Sequence, residues 1–344
     1  MRIAIDAMGG DHAPGEIVRG AVEAAREFSL EAVLVGQPEK VQAALSAAGG
    51  GEGRLHGASG AGPANGARVE IVPASEIIGF DEAPVQAVRR KKDSSLVVAL
   101  GLLQAGQVQA VVSAGHTGAL MAGGLFSVGR IKGIDRPALS TILPTREGFC
   151  FMLDVGANAD ADAGNLLQFG LMGSIYADSV LGVTNPRVAL LSIGTEEEKG
   201  SRLTKEAFAL CKDSGVHFVG NIEARDILEG VADVVVADGF SGNVALKAIE
   251  GAAAVLMGMI KEAATGSVRS KLGGLLLKPA LERVAAKLDY AEYGGAPLLG
   301  LDGAVIKCHG SSKARAIRSG IRVARDYVQN GCIELIHSQV ARSQ

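Results

Sequence analysis

A repeated unit limits the folds that this sequence can adopt. In each repeat, a short apolar strand is followed by a glycine-containing turn and then by an alanine-rich helix. At the N-terminus, Arg2–Ala7 predicts a strand, Met8–Pro14 a turn, and Gly15–Phe28 a helix whose apolar residues recur at helical spacing. Because alternating strands and helices build parallel sheets that helices cover, the pattern predicts an α/β fold with a mainly parallel sheet and helices on both faces.

Composition supports that fold class. The 344 residues are 48% hydrophobic and include 47 glycines but only 4% aromatic residues, which suits the small aliphatic side chains of buried parallel strands. A chain of this length buries a sizeable core, so we predict a single catalytic unit over residues 1–344 that can divide into two lobes. The formal net charge of −3 and the absence of tryptophan argue against nucleic-acid binding.

Cysteine usage and the first residues indicate a cytoplasmic protein. The four cysteines are far apart and form no CxxC pair, so we expect neither a disulfide framework nor a zinc site. The opening MRIAID predicts a strand rather than a signal peptide. No apolar run approaches the roughly 20 residues of a membrane span, so we do not expect the chain to be integral to a membrane.

Residues 49–66 depart from the repeated unit. They contain eight glycines in eighteen positions and few large apolar side chains. Such a segment gains too little from burial to offset its ordering entropy. We therefore predict a flexible surface insertion without chemistry of its own.

Residues 257–289 predict a helical hairpin, with a helix ending near Ala264, a tip at 266–278 and a second helix from about Pro279. Apolar side chains flanked by cations suit the surface of an anionic membrane. We therefore predict a peripheral membrane anchor, and the alternative is packing against a dimer partner. The residues of the predicted anchor are Leu272, Leu275, Leu276, Leu277, Lys271 and Lys278.

Five glycine-containing turns follow predicted strands and precede predicted helices. They are DAMGGDHAP (6–14), SAGHTGA (113–119), DVGAN (154–158), DGFSGN (238–243) and HGSSKA (309–314). Ligands of open parallel sheets bind beyond the carboxyl ends of the strands, where free helix amides attract phosphate. None of the turns matches the Walker A pattern, and the first lacks the GxGxxG fingerprint. The turns therefore favour a phosphate site over a nucleotide site.

At these turns the chain resembles the bacterial family of acyl-carrier-protein:phosphate acyltransferases. The resemblance is carried, in order, by IAIDAMGGDHAP, SEIIGFDEAPVQAVRRKKDSSL, VVSAGHTGALMAGG, LDVGANAD, FVGNIEARDI, VADGFSGNVALK, and YGGAPLLGLDG with IKCHGSSKARAI. His116 stands where the family usually has Asn, and Ser192 and Thr195 stand where it has Asn and Glu. The glycine-rich insertion is also longer than usual.

The resemblance implies transfer of a long-chain fatty acyl group from acyl-carrier protein to inorganic phosphate, which gives acyl phosphate for phospholipid synthesis. It also implies a fold similar to phosphate acetyltransferases and isocitrate-dehydrogenase-type enzymes, and a homodimer. The enzyme would be cytoplasmic and associate peripherally with the inner face of the membrane, where a glycerol-3-phosphate acyltransferase would use the product. We expect no metal and no organic cofactor.

The turns supply candidate phosphate ligands. Phosphate can attack a thioester unaided, so the enzyme mainly has to position it and stabilise the oxyanion. Ser311 and Ser312 are expected to cap the helix that follows, while His309 and Lys313 assist catalysis. The predicted phosphate-binding residues are Gly9, Gly10, Ser113, Gly115, His116, Thr117, Gly118, Ser311 and Ser312.

His12 is the predicted proton-transfer residue. It would polarise the thioester oxygen or protonate the leaving thiolate, with Asp11 orienting it. Capping of the helix that begins near Pro14 is the alternative role for both side chains. Asn158 and Asn243 are candidate amide donors to the oxyanion, and turn formation is their alternative role.

Several alternatives stay open from the sequence alone. An acyl-enzyme on Cys308 is one variant of the reaction, although its apolar neighbours favour a packed small residue. A phosphate acetyltransferase acting on a coenzyme A thioester would use the same chemistry. An NAD-linked dehydrogenase of the related fold is disfavoured by the missing fingerprint. A non-catalytic membrane scaffold would leave the glycine turns without a purpose.

Overall fold

The computed structural model describes residues 1–51, 53–55, 68–288 and 294–342. Apolar strands end at glycine turns and alanine-rich helices follow them, as the sequence predicts. The strands are β1 Arg2–Asp6, β2 Glu31–Gly36, β3 Arg54–Leu55, β4 Arg68–Pro73, β5 Ala110–Ser113, β6 Ala138–Thr145, β7 Gly148–Leu153, β8 Val188–Ser192, β9 Phe218–Glu223, β10 Val234–Val236, β11 Ala296–Leu299 and β12 Ala304–Lys307.

The α-helices are α1 Gly15–Glu27, α2 Pro38–Ala47, α3 Pro84–Arg90, α4 Ser95–Gln104, α5 Thr117–Gly123, α6 Ala163–Ser179, α7 Arg202–Lys212, α8 Gly239–Thr265, α9 Val268–Leu288, α10 Ala314–Gln329 and α11 Cys332–Arg342. A π-helical turn, Gly124–Val128, continues α5, and a 3-10 helix, Ala224–Glu229, follows β9.

All of these strands form one sheet in the order β3–β4–β2–β1–β5–β12–β11–β6–β7–β10–β8–β9. Neighbouring strands are parallel from β3 to β12 and again from β7 to β9. Between these halves, β11 and β6 are antiparallel to each other. In addition, β11 is antiparallel to β12, and β6 is antiparallel to β7. The two parallel halves therefore run in opposite directions. The predicted mainly parallel α/β fold is confirmed.

Helices cover both faces of the sheet. In β1, Ile3 and Ile5 belong to the apolar layer that also contains Ile17 of α1 and Ile317 of α10. Ala4, which points the other way, belongs to the opposite layer with Leu100 of α4. This alternation follows from the two-residue period of a strand, and it places one apolar layer on each face.

The glycine-rich insertion at 49–66 is only partly described. Within it, Arg54–Leu55 form the edge strand β3 and pair with β4, although we expected a loop there. The guanidinium of Arg54 lies 3.1 Å from Glu31 and 3.3 Å from Glu70, and these ion pairs hold the edge strand in place. Residues 52 and 56–67 lie outside the described residues, so the predicted flexibility of that part stays a prediction.

Helices α8 and α9 form the hairpin, but its turn is shorter than the sequence suggested. Only Gly266 and Ser267 separate the two helices. The Ser267 hydroxyl accepts a hydrogen bond from the Ser270 amide at 3.1 Å, which caps the start of α9. Pro279 lies inside α9 rather than at its first turn. The leucines expected in a tip loop are therefore helical.

Helix α8 is long and apolar enough to span a membrane by length and composition alone, with a mean hydropathy of 1.5 over its most apolar window. The helix is not, however, a continuous apolar run, because Lys247, Glu250 and Lys261 interrupt it. The first turns of α8 nevertheless belong to the body of the molecule, because Gly242 is buried against the carbonyl oxygen of Asp154.

Candidate active site

A cleft of about 520 Å³ lies between turns at the carboxyl ends of strands from both halves of the sheet. Open parallel sheets bind ligands at such edges, and the glycine turns predicted a site there. The first half contributes Asp11, Thr117, Lys307 and His309, and the second half contributes Gly156, Asn243, Leu246, Lys247 and Glu250.

Asp6 is the carboxylate that organises the first half of the cleft. It is the last residue of β1 and is buried, and its two oxygens accept hydrogen bonds from the Ser95 hydroxyl at 2.6 Å and the Ser113 hydroxyl at 2.7 Å. Burial raises the pKa of Asp6, and the bonds from these hydroxyls oppose that rise. The Ser113 hydroxyl also accepts from the Gly115 amide at 3.0 Å. Ser113 and Gly115, both predicted phosphate ligands, thus bond within the protein.

The turns after β1, β5 and β12 pack directly on one another. A Cβ on Gly9 would lie 2.4 Å from the Asp6 carboxylate and 2.8 Å from the Gly115 amide nitrogen. Gly10 has a φ of +109°, a conformation that favours glycine. The Asp11 amide donates to the Gly310 carbonyl at 2.8 Å. These contacts explain why glycine is needed here, and phosphate binding by the Gly9 and Gly10 amides stays a prediction.

His116 caps α5. Its Nδ1 accepts hydrogen bonds from the Gly118 amide at 3.0 Å and the Ala119 amide at 3.4 Å, so the Gly118 amide is already used within the protein. The ring stacks on Phe80 at a centroid distance of 6.3 Å. Thr117 and Phe80 line the cleft. His116 is therefore a helix cap beside the cleft.

The turn after β12 places His309 in the cleft and Lys313 outside it. Nδ1 of His309 lies 2.8 Å from the Ser311 hydroxyl oxygen. Burial and the nearby Lys247 and Lys307 lower the pKa of His309, so its imidazole is neutral near pH 7. Lys313 is exposed and does not line the cleft.

The start of α10 is capped by a residue that the sequence did not suggest. The helix begins at Ala314, and the Ala314 amide donates to the Glu16 carboxylate at 2.9 Å. We expected Ser311 and Ser312 to cap this helix, and that prediction is wrong. Ser312 is buried. A carboxylate thus already occupies the helix N-terminus that was predicted to attract phosphate.

Asp11 and His12 are separated by the structure. Asp11 lines the cleft, whereas His12 is exposed and is not among the residues lining it. The cap position of α1 is Pro14, and no side chain makes a capping bond there. Helix capping by Asp11 or His12 is therefore wrong. A proton-transfer role for His12 would require it to move into the cleft.

Asp154 organises the second half as Asp6 organises the first. It is buried at the end of β7, and its carboxylate accepts from the amides of Leu139, Gly156, Ala157 and Asn158 and from the Asn158 side chain. Burial raises its pKa, and these donors oppose the rise.

The side-chain amide of Asn158 bonds within the turn that follows β7. Its Nδ2 donates to the Pro137 carbonyl at 2.7 Å and to Asp154 at 2.8 Å, which uses both N–H groups. The prediction that Asn158 donates to the oxyanion therefore stays a prediction, and it would require one of these bonds to break. Asn243 lines the cleft, so its predicted role stays open to test.

Two lysines that line the cleft, Lys247 and Lys307, were not among the predicted site residues. Lys307 ends β12 and is buried, and Lys247 pairs with Glu250 at 2.7 Å on α8. In the sequence, Lys307 closes the apolar run AVIK and looks like a strand end facing solvent. Its position opposite Ser113 in the sheet would have indicated that it belongs to the site. That position can be known only once the order of the strands is known.

Cys308 is not suited to form an acyl-enzyme. It is buried, and burial raises the pKa of its thiol to about 12. Near pH 7 the side chain therefore stays a neutral thiol, which is a poor nucleophile. Its role as a packed small residue agrees with the apolar neighbours seen in the sequence.

Comparison with known proteins gives relatives over the full length. A family model described as "fatty acid synthesis protein" matches residues 1–335. A phosphate acyltransferase of Heliobacterium modesticaldum is 54% identical over 340 residues, which cover 99% of this chain and 98% of the relative. One from Geobacillus thermodenitrificans is 52% identical over 345 residues and covers 100% of both chains.

Solved structures share the fold at low identity. A phosphotransacetylase from Streptococcus pyogenes superposes with a TM-score of 0.61 at 19% identity, covering 95% of this chain and 94% of that one. A 4-hydroxythreonine-4-phosphate dehydrogenase from Klebsiella pneumoniae has a TM-score of 0.52 at 16% identity, covering 96% and 99%. At these identities the likeness concerns the fold alone.

Proposed function

Because this chain belongs to the fatty acid synthesis protein family and, like its relatives, is an acyltransferase that uses phosphate, we propose that it moves a long-chain fatty acyl group from acyl-carrier protein to inorganic phosphate. The products are acyl phosphate, for phospholipid synthesis, and the free carrier thiol. A non-catalytic scaffold is excluded, since the chain is an enzyme.

The proposal that the donor carries a long acyl chain is supported by one continuous face of α8, which runs from the cleft to an apolar groove. Asn243, Lys247 and Glu250 line the polar cleft, and Met257 and Lys261 line a groove of about 640 Å³ between α8 and α9. Residues spaced by three and four share one face of a helix. The groove is lined mainly by apolar residues and methylene stems, including Ile260, Ala264, Leu275 and Leu281. A reacting head group in the cleft would thus have an apolar path for its chain.

A long chain would gain more than a short one along this path. Each buried methylene contributes about 0.8 kcal/mol. Between the cleft and the groove, the α8 face carries the small, exposed side chain of Ala254, which leaves room for an acyl chain. An acetyl group would not reach beyond the cleft.

The chemistry needs no covalent enzyme intermediate. A phosphate oxygen attacks the thioester carbonyl carbon, the C–S bond breaks, and the carrier leaves as a thiol. Lys247 is placed to screen the charge of phosphate, and the amide of Asn243 to donate to the oxyanion. The neutral imidazole of His309 can donate or accept a hydrogen bond in the same cleft.

A second candidate is transfer of an acetyl group from coenzyme A to phosphate, because the polar cleft alone would accommodate a short acyl thioester. The chemistry at the thioester is the same. The two candidates differ in the acyl chain and in the carrier of the thiol, so substrate choice distinguishes them.

The function is tested by incubating the purified protein with palmitoyl-carrier protein or acetyl-coenzyme A, each with and without phosphate. We expect phosphate-dependent release of carrier thiol from palmitoyl-carrier protein, together with acyl phosphate trapped as its hydroxamate. Turnover of acetyl-coenzyme A alone would transfer the assignment to the second candidate. Release of thiol without phosphate would contradict transfer to phosphate.

A matched pair of variants tests the chain path in the same assay. Ala254→Phe fills the path, whereas Val255→Phe places the same ring on the neighbouring, exposed face of α8. Displacing two methylenes from an apolar path costs roughly tenfold in binding. We therefore expect Ala254→Phe to raise KM for palmitoyl-carrier protein about tenfold and to leave KM for butyryl-carrier protein unchanged. If the two variants had the same KM for palmitoyl-carrier protein, the result would contradict the proposed acyl-chain path.

The hairpin is our proposed membrane contact. Leu272, Leu276 and Leu277 are exposed on α9 and lie outside the groove, with Leu276 81% exposed. Lys271 and Lys278 flank them, which suits an anionic lipid surface. Leu275, also predicted as an anchor residue, is exposed and lines the groove, as do Lys271 and Lys278. Peripheral binding at the inner face of the membrane would deliver acyl phosphate to a glycerol-3-phosphate acyltransferase.

Leu276→Glu tests this contact, with Leu335→Glu, an exposed leucine on α11, as the matched control. Burial of a leucine contributes about 1.5–3 kcal/mol, so we expect Leu276→Glu to weaken binding to phosphatidylglycerol vesicles at least tenfold. Leu335→Glu should bind like the unmodified protein. Unchanged binding by Leu276→Glu would contradict the anchor. If the protein is the homodimer that we expect, conversion of Leu276→Glu to a monomer, measured by light scattering, would favour the alternative of packing against a dimer partner.

A further inference from the structure

Three polar side chains form a row across the first half of the sheet. Asp6, Ser113 and Lys307 are the last residues of the adjacent strands β1, β5 and β12. Ser113 pairs with Lys307 across the sheet, and Asp6 lies one step beyond the pair Ile5 and Val112. The side chains occupy one face, and they are only 2%, 1% and 8% exposed, respectively. Burying charges in this way is costly unless they are paired and hydrogen-bonded.

Lys307 is the member of the row that reaches the cleft. It lines the cleft together with Asp11, Lys247 and His309. Its Nζ donates a hydrogen bond to the Cys308 carbonyl. An ammonium has three N–H donors, so this bond leaves two for a ligand in the cleft. Lys247, by contrast, is half exposed and paired with Glu250.

The surroundings of Lys307 tune its proton affinity. Burial lowers the pKa of Lys307 to about 8, and the nearby Lys247 also lowers it. The carboxylates of Asp6 and Asp11 raise it, as does Cys308. The result lies close to the pKa of an ordinary thiol, about 8.5. Proton exchange between Lys307 and a departing thiolate would therefore cost little.

We propose that Lys307 is the proton-transfer residue of the reaction, and this rests on the proposed function. The ammonium gives a proton to the carrier thiolate as the C–S bond breaks and the bond between carbonyl carbon and phosphate oxygen forms. The neutral amine then takes the proton that hydrogenphosphate gives up. One proton thus moves from phosphate to thiol through Nζ, and no oxidation or reduction occurs.

Asp6 is a positioning residue in this scheme. Its carboxylate fixes the Ser113 hydroxyl at 2.7 Å, and Ser113 lies opposite Lys307 in the sheet. The negative charge of Asp6 also favours the protonated form of Lys307. Asp6 therefore acts through Lys307 and does not contact substrate itself.

The test uses Lys307→Met and Lys307→Arg. Loss of a proton-transfer group costs 10²–10⁴-fold, so we expect kcat to fall about 100-fold or more in both variants. Arginine keeps the charge but does not release a proton near neutral pH, so Lys307→Arg should keep KM for phosphate within about threefold. Lys205→Met, an exposed lysine on α7, should behave like the unmodified protein. Recovery of kcat by arginine would overturn the proposal in favour of simple charge screening.

The pH profile adds a second readout. Lys307 must be protonated to donate, so kcat of the unmodified protein should fall as pH rises through about 8. Lys307→Arg should lack this alkaline limb, and Asp6→Asn should move it to lower pH. An alkaline limb that persists in Lys307→Arg would overturn the proposal. Melting curves identify variants that fail to fold. If Lys307→Met fails to fold, kcat and the pH profile of Lys307→Arg still test the proposal.

Failure of the proposed function would be recognised separately. It would appear in the unmodified protein, as absence of thiol release from palmitoyl-carrier protein. The Lys307 variants would then be measured on acetyl-coenzyme A, where the same proton must reach the thiolate.

Discussion

Gly242→Ala is expected to reduce kcat/KM at least 100-fold and to lower the melting temperature. A Cβ at this position would lie 1.9 Å from the carbonyl oxygen of Asp154. That atom belongs to the backbone, so α8 must move away from the sheet. Asn243 and Lys247 follow on the same helix and would leave their places in the cleft. A displacement of about 1 Å at an active site costs about 100-fold, and overpacking of this kind costs about 1–3 kcal/mol of stability.

Gly251→Ala on the same helix is the matched control. Among the residues that the structure describes, no atom lies within 4 Å of a Cβ built on Gly251, and alanine favours a helix by about 1 kcal/mol over glycine. We expect unchanged kinetics and an equal or higher melting temperature. Thermal denaturation and steady-state kinetics on both variants decide the matter. If Gly242→Ala retained full activity, the close approach of α8 to the Asp154 loop would not be needed for catalysis.

Asp154→Asn is expected to destabilise the protein by about 3 kcal/mol near pH 7. Both carboxylate oxygens of Asp154 face N–H donors, namely the amides of Leu139 and Ala157 on one oxygen and Asn158 on the other. An asparagine turned either way would place its NH₂ group against N–H donors. Leaving buried polar groups unsatisfied costs about 1–3 kcal/mol, and more where a charged group was involved.

The control for this variant is Asp160→Asn, because Asp160 is exposed a few residues along the same loop. Its loss of charge should change the free energy of unfolding by less than about 0.5 kcal/mol. Denaturant unfolding at constant pH measures both variants. A stable Asp154→Asn protein would mean that the amide donors find other acceptors.

The sequence predicted the layered fold because the relevant signals are local. The bounds of β1 and α1 agree with the predicted ones to within a residue. The hairpin was harder to predict, because two glycines and Pro279 suggested a break in the chain. A single serine cap at Ser267 was enough to start α9 at Val268, eleven residues before Pro279, and the proline then lies inside a helix that has already formed.

The site was predicted less completely because side-chain direction depends on contacts between distant segments. The sequence located the turns that converge on the cleft, but Ser113 and Asn158 point towards Asp6 and Asp154 rather than towards the cleft. Glu16 caps a helix that begins 298 residues later in the chain, and no local pattern signals that. The position of Lys307 in the cleft likewise depends on its neighbours in the sheet, which the sequence does not reveal.

The strand order has a consequence for synthesis on the ribosome. β12 lies between β5 and β11 in the middle of the sheet, yet it is formed by residues 304–307, close to the end of the chain. While the nascent chain is shorter than this, β5 has an open inner edge, and α1 lacks α10, against which it packs. Strands β7, β10, β8 and β9 are complete by residue 236 and can assemble earlier. The cleft is therefore finished last, and a chain that stops before Ala304 has no active site even if its second half is folded.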